Sequence, residues 1–99
     1  MFETSDVSHS LRRYYTYILY SLRDKGLYIG YTTDLKARLI DHAQNRVPAT
    51  KSRTPLLLIH YEYFINQHDA KAREKFLKSG FGRKQFAKIL HNTMRQINS

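Results

Sequence analysis

Residues 27–42 read LYIGYTTDLKARLIDH. The first five of them, at 27–31, are aromatic or aliphatic apart from one glycine, which is typical of a β-strand. The next three, TTD, are residue types that commonly cap the N-terminus of a helix. A helix is predicted to follow through about Ala43, with Leu35 and Leu39 as its apolar positions. This stretch therefore predicts a strand that leads directly into a helix.

A second strand is predicted just upstream. Residues 14–21 read YYTYILYS, which is rich in aromatic and β-branched residues. Residues 23–26, RDKG, carry a turn signal between this run and the strand at 27–31. The two strands are therefore expected to form an antiparallel hairpin.

The hairpin also predicts which side chains face each other. If it is centred between Arg23 and Asp24, Tyr17 lies opposite Gly30, and Tyr28 is the diagonal neighbour of Tyr17 on the same face. Because glycine has no side chain, Gly30 is expected to leave an open spot beside both hydroxyls. A ligand backbone could approach there.

The remainder of the chain predicts one more strand and further helices. Asn45–Pro55 is polar and is expected to be a loop, and Leu56–Phe64, LLLIHYEYF, is the strongest strand signal in the chain. A helix is expected to start at Asn66 or Asp69 and to end with Gly80 as its C′ residue.

A last helix is predicted from about Arg83, with apolar residues at helical spacing. The element order is then β-β-α-β-α-α. This order predicts an α+β fold with a small, three-stranded, mainly antiparallel sheet flanked by helices. Residues 1–12 are polar and aperiodic and are expected to form a flexible arm, so residues 13–99 would be a single domain.

The charge of the chain favours a polyanionic partner. The 99 residues carry a formal net charge of +9, and no acidic residue follows Glu74. Such a field attracts nucleic acid, although positive charge can also serve solubility alone. With no cysteine, disulfides and thiolate zinc sites are excluded. No apolar stretch approaches the roughly 20 residues that span a membrane, and no signal peptide is evident, so a cytoplasmic location is expected.

Two polar residues of the first helix are candidates for chemistry. Arg38 and His42 are spaced i, i+4 and therefore lie on one face, close to the apolar positions of the helix. The alternative is that both are ordinary solvated surface residues. The other histidines, at positions 9, 60, 68 and 91, form no spacing typical of metal ligands.

Glu74 is the most unusual acidic residue. Its neighbours on the same helical face are Ala70 and Leu77, which are apolar. A carboxylate on an inward face must be paired, hydrogen-bonded or bound to a metal. The alternative to a functional role is a salt bridge to a nearby lysine or arginine. Glu62 is a weaker candidate for the same role.

Three segments resemble the GIY-YIG nuclease superfamily, and most closely its small standalone bacterial members: TYILYS at 16–21, LYIGYTTDLKARLIDH at 27–42 and AKAREKFLK at 70–78. The resemblance covers about residues 14–90. Its second signature is Tyr28-Ile29-Gly30.

Single residues match the family pattern as well. Tyr17 stands at the tyrosine of the first signature, where Tyr15 and Thr16 replace the glycine and the hydrophobic residue. Arg38 matches the family's arginine, and Glu74 matches its metal-binding glutamate. His42 stands at a position that is histidine in some branches of the family. The family's late asparagine has only a weak candidate, Asn92.

The resemblance implies a metal-dependent endonuclease that hydrolyses phosphodiester bonds in nucleic acid, with DNA favoured over RNA. The role that it implies is in DNA repair or recombination. Glu74 would hold one Mg²⁺ or Mn²⁺ ion, and Arg38 would bind the phosphate. Tyr17, with Tyr28 or His42, would position or deprotonate the attacking water, and the residues alone do not choose between them. A tyrosine base would need its pKa lowered, which Arg38 and the metal could achieve.

Further expectations concern the surface and the alternatives. Basic residues outside the site would contact phosphates without reading sequence: Lys51, Arg53, Lys78, Arg83 and Lys84. The chain is expected to be a monomer or a weak homodimer. The main alternative is a non-catalytic nucleic-acid-binding module of the same fold. A protein–protein adaptor with tyrosine-rich strands is a third possibility, supported only by composition.

Overall fold

The computed structural model describes residues 12–99, so the arm expected at 1–12 lies outside the described residues except for Arg12. The elements, in chain order, are β1 Tyr14–Ser21, β2 Leu27–Thr32, α1 Leu35–Ala43, β3 Leu56–Phe64, α2 Gln67–Lys78, α3 Gly80–Ile89 and α4 His91–Asn98. The sheet is antiparallel with the order β2-β1-β3. The α+β fold with a three-stranded sheet flanked by helices is therefore confirmed.

The hairpin of β1 and β2 has the predicted register, with Tyr17 opposite Gly30. Its turn is stabilised by one side chain, because Ser21 Oγ accepts hydrogen bonds from the backbone N–H groups of Arg23 and Asp24. Lys25 follows with a φ of +63°. The turn residues thus satisfy their own backbone groups and fix which residues of the two strands meet.

The central strand β1 separates two packed layers. Residues 16–21 are buried without interruption, although alternate side chains point to opposite faces. On one face, Ile18 packs in a core cluster with Ile29, Leu77 and Phe86, which brings α2 and α3 onto the sheet. The opposite face contains Tyr17 and meets α1. This burial on both faces explains why the sequence of the strand is a continuous run of mainly apolar and aromatic residues.

The helical end of the chain differs from the prediction in two places. Ser79, rather than Gly80, ends α2, and its Oγ also accepts from Gly82 N–H and so caps α3. Gly80 is the first residue of α3, and no glycine in the described part of the chain has a positive φ. Gly80 therefore occupies the expected C′ position after the C-cap Ser79, but without the left-handed conformation typical of a C′ glycine. The predicted last helix begins at Gly80 instead of about Arg83 and is divided at Leu90 into α3 and α4.

The connection between α1 and β3, residues 44–55, is tied to the hairpin turn. Arg53 Nε lies 2.6 Å from Asp24 Oδ2, and Arg53 Nη2 lies 3.1 Å from Asp24 Oδ1. The hydrogen bond with Arg53 lowers the pKa of Asp24 to about 2. Ser21 Oγ donates to the Arg53 carbonyl, and Val47 and Thr50 of the same connection are buried. This loop is therefore held in place at several points.

None of the helices within residues 12–99 has the length and apolar character that crossing a bilayer requires.

Candidate active site

A buried chain of hydrogen bonds joins the sheet, α1 and the following loop. Tyr17 Oη lies 2.7 Å from His42 Nε2, and His42 Nδ1 lies 2.7 Å from Thr50 Oγ1. The exposed fractions of Tyr17, His42 and Thr50 are 0%, 2% and 0%. Three polar side chains removed from water in this way must satisfy one another. Both imidazole nitrogens consequently have a hydroxyl partner.

Local sequence explains how these side chains meet. The alternation of β1 directs Tyr17 to the face that meets α1. Asp34 caps that helix, because its Oδ1 accepts from Ala37 N–H at 3.1 Å, and His42 then falls in the last turn. Thr50 is held by a loop turn in which its N–H donates to the Val47 carbonyl at 3.0 Å.

The space above Gly30 is filled by the ring of Tyr17. A Cβ atom at position 30 would overlap the hydroxyl end of that ring. The expectation of an open spot for a ligand is therefore wrong, because the register places the largest neighbouring side chain over the glycine. Gly30 is required because any side chain at this position would overlap the Tyr17 ring, which reaches His42.

Replacement of Gly30 with alanine should displace Tyr17 from His42. Since the Tyr17 side chain is fully buried, the added methyl group has no free space to enter. Overpacking of this kind typically costs about 1–3 kcal/mol, which urea unfolding would measure. Gly80→Ala is the control, because a Cβ atom there meets nothing within 4 Å. Equal unfolding free energies for the two variants would contradict this interpretation.

Tyr28 completes an aromatic arrangement around the imidazole. Its ring centroid lies 6.3 Å from that of Tyr17 and 5.2 Å from that of His42. The predicted placement of Tyr28 as a neighbour of Tyr17 on the same face is thus observed. Unlike Tyr17, Tyr28 is only partly buried.

Arg38 brings a positive charge to the same hydroxyl. Its interaction with the Tyr17 hydroxyl raises the pKa of Arg38. Within residues 12–99, the Arg38 Nε atom is buried and has no hydrogen-bond acceptor. A buried guanidinium N–H without an acceptor is costly. An anionic oxygen would satisfy it, and guanidinium geometry suits phosphate.

The surroundings set the protonation states of the two central groups. Burial raises the pKa of the Tyr17 phenol to about 12, and the hydrogen bond from Arg38 opposes this rise only in part. Burial, and then the charge of Arg38, lower the pKa of His42 below its ordinary value. Near neutral pH, Tyr17 is therefore a phenol and His42 a neutral imidazole. Arg38 thus lowers the pKa of Tyr17 in the expected direction, but burial outweighs it and the net shift is upward.

Glu74 lies on α2, and its negative charge acts on two groups, Lys78 and Tyr17. Glu74 Oε2 is 2.9 Å from Lys78 Nζ on the same helix, so the anticipated salt bridge is present. The Glu74 carboxylate is also near enough to raise the pKa of Tyr17 by its negative charge. Its side chain is 21% exposed, compared with 55% for Lys78. Glu74 thus acts on Tyr17 through its charge and has an exposed lysine as its present partner.

A metal ion at this position would have few protein ligands. In the part of the chain that the structure describes, no three His, Asp or Glu side chains are grouped to hold a metal. Glu62, the weaker candidate, is already bound by Arg73 and His60. A single carboxylate still fits Mg²⁺, which keeps several waters in its coordination shell. Glu74 is therefore compatible with a hydrated ion.

The predicted phosphate-binding residues differ in their availability. Arg53 is held by Asp24, and Lys78 is held by Glu74. Three others are exposed: Lys51, Arg83 and Lys84. Asn92, the weak match to the late asparagine, is exposed on α4.

Comparison with known proteins identifies the family. The profile of the GIY-YIG catalytic domain matches residues 13–87. The chain belongs to the GIY-YIG family. This is a nuclease family, and its nucleases are generally dependent on divalent metals.

Relatives support the same assignment. The chain is 39% identical over 85 residues to the UPF0213 protein YsiG of Lactococcus lactis, an alignment that covers 85% of the chain and 81% of the relative. It is 41% identical over 85 residues to a UPF0213 protein of Pediococcus acidilactici, with 80% and 82% covered. The solution NMR structure of a UPF0213 protein of Bacillus halodurans matches with a TM-score of 0.51 and 30% identity, covering 78% of the chain and 84% of that structure.

In this GIY-YIG domain, the structure brings together four of the five residues predicted for the site. Tyr17, Tyr28 and His42 are in contact, and Arg38 faces the Tyr17 hydroxyl. Glu74 is near the group and is bound to Lys78. Sequence reasoning missed Thr50, which lies in a polar loop and carries no motif.

Proposed function

We propose that the protein is a divalent-metal-dependent endonuclease that hydrolyses phosphodiester bonds in nucleic acid, with DNA favoured over RNA. The observation that carries this proposal is the buried contact between Tyr17 Oη and His42 Nε2, together with the buried Nε of Arg38, which has no acceptor among residues 12–99. It combines a proton acceptor, a hydroxyl and a phosphate-binding group in one place. Phosphodiester hydrolysis requires these three functions.

Arg38 is proposed to bind the scissile phosphate. Its guanidinium offers paired N–H groups to two phosphate oxygens and remains charged at any physiological pH. Since Tyr17 is covered in the structure and Arg38 is among its neighbours, a phosphate that draws Arg38 outward would expose the Tyr17 hydroxyl to a water molecule. Substrate binding would then prepare the site for attack.

The proton of the attacking water is proposed to pass in two linked transfers. Tyr17 Oη accepts the proton from water while its own proton moves to His42 Nε2, across the 2.7 Å contact. The final carrier is therefore an imidazolium ion. This route needs no free tyrosinate, which a phenol with a pKa of about 12 could not supply near neutral pH. The neutral state of His42 makes it the acceptor.

Glu74 is proposed to hold the metal ion, Mg²⁺ or Mn²⁺. Lys78 would have to release the carboxylate, and its own exposure makes that movement easy. The ion would supply positive charge to the phosphate oxygens as negative charge develops there. Exposed lysine and arginine side chains would contact flanking phosphates, with Lys51, Arg83 and Lys84 available at once.

One observation favours a second candidate function. Glu74 already has an ion-pair partner, and the described residues contain no group of three or more His, Asp or Glu side chains that could hold a metal. A module that only binds nucleic acid would keep the fold and the basic surface and would need neither. In that case Tyr17 and His42 would be part of the structural core.

A cleavage assay distinguishes the two functions. We expect at least one of branched, nicked, single-stranded or duplex DNA to be cut with Mg²⁺ or Mn²⁺, and not with chelator. RNA of matched sequence tests the preference for DNA. The control is Tyr17→Phe, purified in parallel, which lacks the hydroxyl but keeps the ring. Binding without cleavage would favour the module, and equal cleavage by both preparations would indicate a contaminating nuclease.

A further inference from the structure

Thr50 is the partner of the His42 nitrogen that faces away from Tyr17. Its Oγ1 atom lies 2.7 Å from His42 Nδ1, and its side chain is fully buried. No function assigned so far uses this threonine. A neutral imidazole carries one N–H donor and one acceptor, so the partner of one nitrogen helps to decide which nitrogen holds the proton.

The charge beside Tyr17 decides how its hydroxyl is oriented. Arg38 lies one turn before His42 on α1, has only donors, and its positive charge lowers the pKa of Tyr17. The phenol oxygen therefore turns its lone pair towards Arg38 and its hydrogen away from it. His42 Nε2, at 2.7 Å, is the acceptor in that direction.

The state of the other imidazole nitrogen follows. If Nε2 accepts the Tyr17 proton, the hydrogen of the neutral ring lies on Nδ1. That N–H then donates to Thr50 Oγ1, the atom within reach. Thr50 thus supplies the acceptor that a buried Nδ1–H requires, while Tyr17 beside Arg38 favours this arrangement over the reverse one.

We propose that Thr50 is a positioning residue that holds His42 as the tautomer protonated on Nδ1, so that Nε2 stays free to accept the proton of Tyr17. Thr50 also fixes the plane of the imidazole, because the ring is held through both of its nitrogens. The loop that carries Thr50 is itself anchored, since Arg53 N–H donates to the Thr50 carbonyl at 2.9 Å and Arg53 is bound to Asp24. The effect on catalysis rests on the proposed nuclease function, whereas the tautomer does not.

Nitrogen NMR of the imidazole tests the proposal without any activity. Two-bond ¹H–¹⁵N correlation spectra report which ring nitrogen carries the hydrogen, and comparison with a His42→Gln spectrum assigns the signals of His42. We expect Nδ1–H in the wild type and in Thr50→Ser, which keeps the hydroxyl. Thr50→Val keeps the shape of the side chain but removes the acceptor. In that variant His42 should change to the Nε2–H tautomer or to a mixture.

The same variants are then compared in the cleavage assay. Thr50→Val should lower kcat at least about 10-fold, as when the group that orients a functional histidine is lost. KM should stay near the wild-type value, and Thr50→Ser should restore kcat. A role in stability alone would not produce this separation of kcat from KM.

The outcomes separate this proposal from the function on which it rests. A wild-type His42 with Nε2–H overturns it, as does a folded Thr50→Val protein with unchanged tautomer and unchanged kcat. If Thr50→Val fails to fold, the wild-type and Thr50→Ser spectra still decide whether His42 is held as Nδ1–H. If no substrate is cut but Nδ1–H is found and lost in Thr50→Val, the nuclease assignment fails and the positioning of His42 stands.

Discussion

Replacement of Glu74 with glutamine is expected to abolish metal-dependent cleavage while leaving nucleic-acid binding nearly intact. The substitution removes a ligand charge but hardly changes the shape of the side chain. It also breaks the ion pair with Lys78, which is 55% exposed. Surface pairs of this kind are worth only about 0–1 kcal/mol, so the fold should be retained. Cleavage with Mg²⁺ and with Mn²⁺, together with affinity for uncut DNA, measures the two effects separately.

Asp69→Asn is the matched control for this experiment. It makes the same chemical change on the same helix, at an exposed position in the first turn of α2. Its cleavage rate should remain near that of the wild type. If Glu74→Gln cuts at the wild-type rate, in preparations shown to be free of contaminating nuclease, Glu74 does not hold the metal.

Replacement of Arg38 with alanine should lower the cleavage rate by a factor of about 10² to 10³. Loss of one preorganised group that stabilises transition-state charge has an effect of this size. The structural reason is that Arg38 Nε is buried without an acceptor among residues 12–99, so a phosphate oxygen is the partner it lacks. Single-turnover rates at saturating enzyme would measure the chemical step without the contribution of binding.

Two further variants define the contribution of Arg38. Arg38→Lys keeps the charge but not the planar fork and should fall between the wild type and alanine. Lys36→Ala removes a positive charge from an exposed position of the same helix and should leave the chemical step unchanged. A rate for Arg38→Ala equal to that of Lys36→Ala would show that Arg38 acts only through general electrostatics.

The strands could be predicted from the sequence because their signals are local. Residues 14–21 and 56–64 carry aromatic and branched side chains in continuous runs, and both strands begin and end where predicted. The register that places Tyr17 opposite Gly30 followed from a short turn and strict alternation. The end of α2 was harder, because a serine that caps two helices competes with a glycine one residue later.

The site could be predicted only where a motif or a spacing marked it. Arg38 and His42 were placed together because helical periodicity is fixed. Thr50 could not be found, since its contact with His42 depends on how a loop of polar residues packs. The direction of the pKa shift of Tyr17 was missed for a similar reason. The sequence shows which charges are near a group, but the degree of burial comes from the fold.

The anchored connection between α1 and β3 has a consequence for engineering. Surface loops usually tolerate insertions, which makes them attractive places to graft a targeting peptide or a sensor. The connection at 44–55 is different, because Arg53 fastens it to the hairpin turn and Thr50 extends from it to the histidine. An insertion there is therefore expected to disturb the contact between Thr50 and His42. In this fold the lining of the candidate site and the outer loop are the same piece of chain.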